Sequence, residues 1–216
     1  MFTGIIEEVG KVVDVQRQKG NVRLRIEATV SASELSIGDS VSLNGVCQTV
    51  VSKQGSGFEV VVVEETLMKT TLGSWISGSK VNIELPVRLN ARLGGHVVLG
   101  HVDAVGEIMT IDEREGSCRL RISVPDQFSK YLVPVGCIAI DGVSLTLAGV
   151  EDSTAIVSII PHTLENTIFS EYRKSSKVNI EFDILGKYIE RLMIGRNDLS
   201  RSKTFPDDIR LTAMGY

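Results

Sequence analysis

Apolar side chains in this sequence tend to recur at every second position. Val22-Arg23-Leu24-Arg25-Ile26 alternates apolar and charged residues, the period of a strand with one buried face. The opening, Phe2 to Val13, is strand-like with glycine breaks. Val41–Ser52, Phe58–Val63 and Val81–Leu85 are further predicted strands, with turns at Gly38-Asp39-Ser40, Gln54–Gly57 and Gly78-Ser79. Pro86 closes the last strand, because proline has no N–H to give to a ladder. Glu65–Leu72 predicts a short helix. Thr66 and its later match Thr163 each follow a strand and precede a helical stretch, which predicts N-caps. Many short strands without long interior helices predict a small antiparallel barrel or sandwich, and disfavour a doubly wound α/β fold.

The pattern is written twice. Asn44-Gly45-Val46-Cys47-Gln48-Thr49-Val50 returns as Asp141-Gly142-Val143-Ser144-Leu145-Thr146-Leu147. Thr66-Leu67 returns as Thr163-Leu164, and Val81-Asn82-Ile83-Glu84 as Val178-Asn179-Ile180-Glu181; all three matches lie 97 positions apart. Nearer the start, Val9-Gly10-Lys11-Val12 matches Val105-Gly106-Glu107-Ile108 at 96 positions, a one-residue slip. Two units, each long enough for its own core, predict a tandem domain pair and not a solenoid. The domains are read as 1–97, with a linker over about 87–97, and 98–184. The tail, 185–216, has no counterpart. Leu185, Ile189, Leu192 and Met193 fall at helical spacing there, with Lys187, Glu190, Arg191 and Arg196 on the other faces. A second short helix is expected from Pro206, followed by Asp207 and Asp208. The pattern leaves open whether the tail helix caps its own barrel or pairs with another subunit.

Composition narrows the functional classes. Of 216 residues, 43% are apolar, enough for packed cores, and the formal net charge of −4 argues against nucleic-acid or anionic-membrane partners. Aromatic residues at 5% are too scarce for a surface that stacks bases, which weighs against a tandem barrel binding nucleic acid or oligosaccharide. No basic region leads into a long apolar run, so no secretory signal is expected. Cys47, Cys118 and Cys137 form no CxxC pair, which predicts neither a disulfide framework nor structural zinc, and a reducing cytoplasm.

The informative difference between the repeats is Cys47 against Ser144. A position that takes both is not simply apolar, although a free cysteine is often a small core residue. Thr49 and Thr146 lie two residues on and share the face. Of the histidines, His96 and His101 are poor joint ligands for a metal, and His101 is either a polar rim residue or a proton carrier. Phosphate loops, nucleophile elbows and HExxH are absent.

Taken with Met1-Phe2-Thr3-Gly4, Gly94-Gly95-His96 and Gly100-His101-Val102-Asp103, these motifs make the chain resemble the lumazine-binding domain family, and within it the riboflavin synthases. The resemblance implies an all-β fold of tandem duplicated six-stranded antiparallel Greek-key barrels plus a C-terminal helix that assembles a homotrimer. It implies a cofactor-free transferase without a metal. Two molecules of 6,7-dimethyl-8-ribityllumazine would exchange a four-carbon unit, giving riboflavin and 5-amino-6-ribitylaminouracil, at a site between one subunit's first barrel and a neighbour's second. Association with lumazine synthase belongs to the same expectation. Carried over by position, the first pocket takes Phe2, Gly4, Ile5, Ile6, Ser40, Cys47, Gln48, Thr49, Val61, Val62, Val63, Glu64, Glu65 and Thr66. The second takes Gly100, His101, Val102, Val135, Ser144, Leu145, Thr146, Ser158, Ile159, Ile160, Pro161, His162 and Thr163, with Asp183 near its mouth. Cys47, His101 and Ser144 are the expected reactive or proton-handling groups. Two positions depart from the family: Val135 stands where a lysine is usual, and Gln48 where an aliphatic residue is usual. The alternative is a lumazine- or flavin-binding protein without catalysis, like the lumazine proteins of luminous bacteria.

Overall fold

The computed structural model describes residues 1–201. Six strands close the first barrel: β1 (Glu8–Gln18), β2 (Asn21–Glu27), β3 (Ser40–Leu43), β4 (Val46–Gln54), β5 (Gly57–Val63) and β6 (Lys80–Glu84), in the order β1-β2-β5-β4-β3-β6. The second repeats that circular order with β7 (Ala104–Arg114), β8 (Ser117–Ser123), β9 (Cys137–Ile140), β10 (Val143–Glu151), β11 (Thr154–Ile159) and β12 (Lys177–Phe182). Every ladder is antiparallel, and β2 pairs with β5 over the β3–β4 hairpin, the Greek-key arrangement. Closure leaves neither sheet a free edge. The alternating strands point Val22, Leu24 and Ile26 into one core and Cys118, Leu120 and Ile122 into the other. Bulges after Val12 in β1 and after Ile108 in β7 bend matching strands at matching places.

The predicted strand Val41–Ser52 is two strands. Asn44-Gly45 is its hairpin turn, with φ of 45° and 75°, and Asp141-Gly142 is the twin, with 42° and 81°. Left-handed φ at both central residues is what a two-residue hairpin turn demands, and Asn-Gly and Asp-Gly supply it at least cost. The two tips also meet: a Cβ on Gly45 would lie 2.7 Å from the Gly142 nitrogen. The helices differ from expectation too. α1 (Thr29–Glu34) lies where no periodic pattern marks it. α2 (Glu64–Lys69) and α3 (Pro161–Asn166) begin two residues before Thr66 and Thr163, which therefore are not caps. The caps are Thr70 and Thr167, whose hydroxyls accept from Leu72 and Phe169 N–H groups of the 3-10 turns that follow.

The unchanged Val-Asn-Ile-Glu of β6 and β12 has a structural cause. Val81 and Ile83 face their own core, while Asn82 and Glu84 face outward and are nonetheless buried, because the other barrel covers them. Asn82 donates to the Asp141 carbonyl and accepts from Ile168 N–H; Asn179 donates to the Asn44 carbonyl and accepts from Thr71 N–H. Each asparagine thus ties the turn and the 3-10 segment of the opposite barrel. The barrels form one compact unit, Met1–Asp183.

One buried pair breaks the symmetry. Asp141 accepts from the Tyr172 hydroxyl and from Asn179 N–H, where the first barrel has Asn44 and Trp75. Burial pushes the Asp141 carboxyl up to about 7 and the phenol beside it well above its ordinary range. The folded state therefore holds a proton that the unfolded chain releases near pH 4. This contribution is complete below the carboxyl's ordinary value of 3.8 and is lost as pH rises through about 7. Asp141→Asn copies the first barrel and is expected to remove that loss, on the order of a few kcal/mol, flattening stability between about pH 4 and 7. Urea titrations of both proteins at several pH values check it; parallel pH profiles would refute it.

A separate unit begins at Ile184 with α4 (Ile184–Arg201), whose Leu185, Ile189, Leu192 and Met193 are all exposed. The helix expected from Pro206 lies outside the described residues. No helix among the described residues is long and apolar enough to cross a membrane.

Candidate functional site

Strand alternation sorts the candidate residues. Along β4, Val46, Gln48 and Val50 are buried toward the core, so Cys47 and Thr49 stand on the outer face. Along β10, Val143 and Leu147 are buried, Leu145 packs against the same core, and Ser144 and Thr146 stand outside. The side chains of Gln48 and Leu145 therefore turn inward, away from the face that carries Cys47 and Ser144, as the two-residue period requires. The Gln48 amide donates to the Cys47 carbonyl, which satisfies it at a core position. Val62 and Ile159, both fully buried, are core for the same reason, while Val63, Ser158 and Ile160 are exposed.

The N-terminal segments exchange barrels, which regroups the pockets. Phe2 and Val98 pair as an antiparallel bridge at the junction. From it, the Gly4 carbonyl accepts from Ser144 N–H at 2.8 Å, and the Gly100 carbonyl accepts from Cys47 N–H at 2.9 Å. Neither glycine tolerates a side chain, since an added Cβ would lie 2.6 Å from the Cβ of Ser144 or Cys47. Gly4, Ile5 and Ile6 thus belong with Ser144, and Gly100, His101 and Val102 with Cys47, the reverse of the grouping by sequence order. Val102 packs against the first core and Ile6 against the second. Position along the chain misassigned them because the crossover leaves no trace in the repeat.

The Cys47 cleft, about 250 Å³, is lined by Val46, Cys47, Glu65, Thr66, Lys69, Thr70 and Gly100 to Val102. It joins a thiol and the exposed His101 to the start of α2, where Glu65 pairs with Lys69. At the other site Ile5 takes the place of His101, and a different histidine enters. His96 Nδ1 lies 2.7 Å from Ser144 Oγ. Burial holds the His96 imidazole below its ordinary range, partly offset by the charge of Asp183. Its Nε2 is buried without a hydrogen-bond partner among the described residues, which leaves a polar atom for a proton or ligand to satisfy. A neutral imidazole that accepts the Ser144 proton through Nδ1 would make the hydroxyl a better nucleophile or proton relay. Repeat matching is silent about His96 because it precedes Val97, the residue aligned with Met1 at the 96-residue offset.

The remaining candidates occupy rims and supports. Phe2 is fully buried against Val98, Ala139 and Cys47, so its ring supports the junction from behind. Ser40 pairs with Thr49 across β3 and β4. Val61 is half-buried on β5, and Glu64 and Glu65 are exposed in the first turn of α2. Pro161 and His162 are exposed and Thr163 half-buried at the start of α3. Val135 is exposed at φ 63°, while its counterpart Gly38 has φ 96°. A β-branched residue in the left-handed region carries strain, so Val135 holds a stiff, exposed apolar group there at a conformational cost. Among the described residues no three His, Cys, Asp or Glu side chains gather to hold a metal ion.

The chain matches the lumazine binding domain model twice, over residues 3–86 and 99–183. It is 42% identical over 194 residues to the riboflavin synthase of Actinobacillus pleuropneumoniae, covering 90% of each chain. It is 40% identical over 204 residues to that of Bacillus subtilis, covering 94% of this chain and 95% of the relative. In fold it resembles the crystal structure of LumP complexed with riboflavin, with a TM-score of 0.79 at 23% identity over 84% of this chain and 99% of that one. The structure of LumP with 6,7-dimethyl-8-(1'-D-ribityl) lumazine gives a TM-score of 0.77 at 24% identity, over 84% and 98%.

Proposed function

The chain belongs to the lumazine-binding domain family, and from that premise we propose that it is an enzyme joining two molecules of 6,7-dimethyl-8-ribityllumazine. One four-carbon unit passes between them, so that one becomes riboflavin and the other 5-amino-6-ribitylaminouracil. The observation that carries this reading is one outward-facing hairpin strand built twice with unequal chemistry: Cys47 beside His101, and Ser144 beside His96. A dismutation of identical molecules needs equal recognition and unequal treatment, and this pair of sites supplies both.

One lumazine must lose a proton from its 7-methyl group while a nucleophile adds to the other ring. Cys47, His101 and Ser144 are the proposed reactive groups. The His96 imidazole, whose neutral form burial favours, is suited to take the Ser144 proton. Val63 and Ile160 present apolar rims on which flat rings stack. Holding two rings in reactive register replaces a bimolecular encounter with an oriented one, which is where much of the acceleration arises.

The proposal extends to assembly and setting. Each chain carries both kinds of pocket, and the exposed apolar residues of α4 offer a surface for a trimer that brings the Cys47 pocket of one copy to the Ser144 pocket of the next. Separate domains with a boundary within 87–97, cytoplasmic residence, supported by three free cysteines, and an association with lumazine synthase belong to the same reading.

The test is incubation of the purified chain with 6,7-dimethyl-8-ribityllumazine while riboflavin fluorescence is followed. One riboflavin is expected for each two lumazines consumed. Cys47→Ala, His101→Ala and Ser144→Ala should slow it; near-normal turnover in all three sinks the assignment.

A further inference from the structure

Glu84 and Glu181 are the matching glutamates of the two Val-Asn-Ile-Glu strands, the last residue of β6 and the last but one of β12. Each is only 3% exposed. The Glu181 carboxylate accepts from the Leu99, Gly100 and His101 N–H groups at 2.7, 2.9 and 3.0 Å. Glu84 accepts from Thr3 N–H at 2.6 Å, from the Thr3 hydroxyl at 2.9 Å and from Gly4 N–H at 3.0 Å. Apart from the Phe2–Val98 bridge, these segments lie outside the named strands. The carboxylates therefore set where they run. The consequence crosses the barrels. The segment held by Glu181 gives the Gly100 carbonyl to Cys47 N–H and places His101 in the Cys47 cleft. The segment held by Glu84 gives the Gly4 carbonyl to Ser144 N–H and the Thr3 carbonyl to His96 N–H, at 2.8 and 3.1 Å.

We propose that Glu181, on the second barrel, is the positioning residue of the Cys47–His101 pocket on the first, and that Glu84, on the first, is the positioning residue of the Ser144–His96 pocket on the second. The inference deepens the function proposed above and rests on it for its kinetic part. A carboxylate suits the task because several converging N–H donors need an acceptor-only group with charge. Glutamine keeps the shape but turns an NH2 donor toward those N–H groups, so one acceptor is lost and a like dipole opposes another.

Glu181→Gln and Glu84→Gln are compared by histidine and amide NMR of the full chain and by the rate of riboflavin formation from 6,7-dimethyl-8-ribityllumazine. Glu181→Gln is expected to shift the His101 ring signals and the amides of residues 99–101 while leaving His96 in place. Glu84→Gln is expected to move His96 and spare His101. Each should lower kcat roughly tenfold, the effect of leaving a buried donor unpaired. The proposal is overturned if both variants disturb the two histidines alike, or if melting temperature falls while histidine signals and kcat stay unchanged. Should a variant not fold, hydrogen exchange of the unaltered chain decides: Gly4, Gly100 and His101 amides as protected as β6 and β12 support it, and exchange at exposed-loop rates refutes it. If the unaltered chain forms no riboflavin while the histidines respond as described, the catalytic reading falls and the positioning of the two pockets stands.

Discussion

Replacing His96 with glutamine is expected to slow riboflavin formation by about 100-fold, within the range that a positioned acid or base contributes. His96 Nδ1 is within hydrogen-bond reach of Ser144 Oγ, and its Nε2 faces no partner among the described residues. Glutamine can reach Ser144 but cannot pass a proton near neutral pH. Ser144→Ala removes the other half of the pair and should cost a similar factor. Because the two groups act on one proton, the double variant should be no slower than the slower single; a multiplied loss would separate their roles. The pH dependence adds a second signature. As the proposed acceptor of the Ser144 proton, His96 acts in its neutral form, which burial favours by holding the imidazole below the ordinary histidine value of 6.5. The acid limb of kcat attributable to His96 should therefore lie below pH 6.5. Removing the Asp183 charge by Asp183→Asn should move that limb lower still, since Asp183 favours the protonated ring. Single-turnover rates from pH 5 to 8 measure both effects, and an acid limb unmoved by Asp183→Asn would remove Asp183 from the account.

The largest effect on stability is expected at the barrel junction. Asn179→Ala takes away a donor to the Asn44 carbonyl at 2.9 Å and an acceptor of Thr71 N–H at 2.8 Å, at a side chain 1% exposed. Two buried backbone groups lose their partners and a void opens. Each unmade bond costs about 1–3 kcal/mol, so a loss of about 3–5 kcal/mol is expected, much of the stability of an ordinary domain. Asn82→Ala does the same to the Asp141 carbonyl and Ile168 N–H. Asn82→Asp should be worse, because an oxygen that only accepts would then face the Asp141 carbonyl. Guanidinium unfolding measures all three. A loss below about 1 kcal/mol in the alanine variants would mean that water replaces the missing partners.

Much of this molecule could be read before its structure. The exact recurrence of Val-Asn-Ile-Glu and of the Gly-Val-x-x-Thr strand announced two like units, and period-two alternation announced strands. Asn44-Gly45 also carried a hairpin signal, hidden because the apolar run continues on both sides of it and reads as one strand. Gln48 was expected at the pocket because the family resemblance carries over Cys47 to Thr49 as one run; the alternation that turns its side chain toward the core was present, but its phase needed the turn to be located first. α1 went unmarked because Thr29–Glu34 has no apolar period; Glu8 instead accepts from Val30 and Ser31 N–H groups at its start.

By itself the sequence determined the duplicated strand pattern, the family and the Cys47–Ser144 inequality, because these depend on residue type and local spacing. Tertiary structure alone decided which segment completes which pocket. Gly4 and Gly100 could each have closed on their own barrel, with the same letters. They cross instead, because Glu84 and Glu181 hold the segments at the junction, and only there does a missing side chain let one backbone lie against Ser144 or Cys47. His96 became a candidate for the same reason. Its partner lies 48 residues away in sequence and 2.7 Å away in space, a proximity that only packing the two barrels together creates.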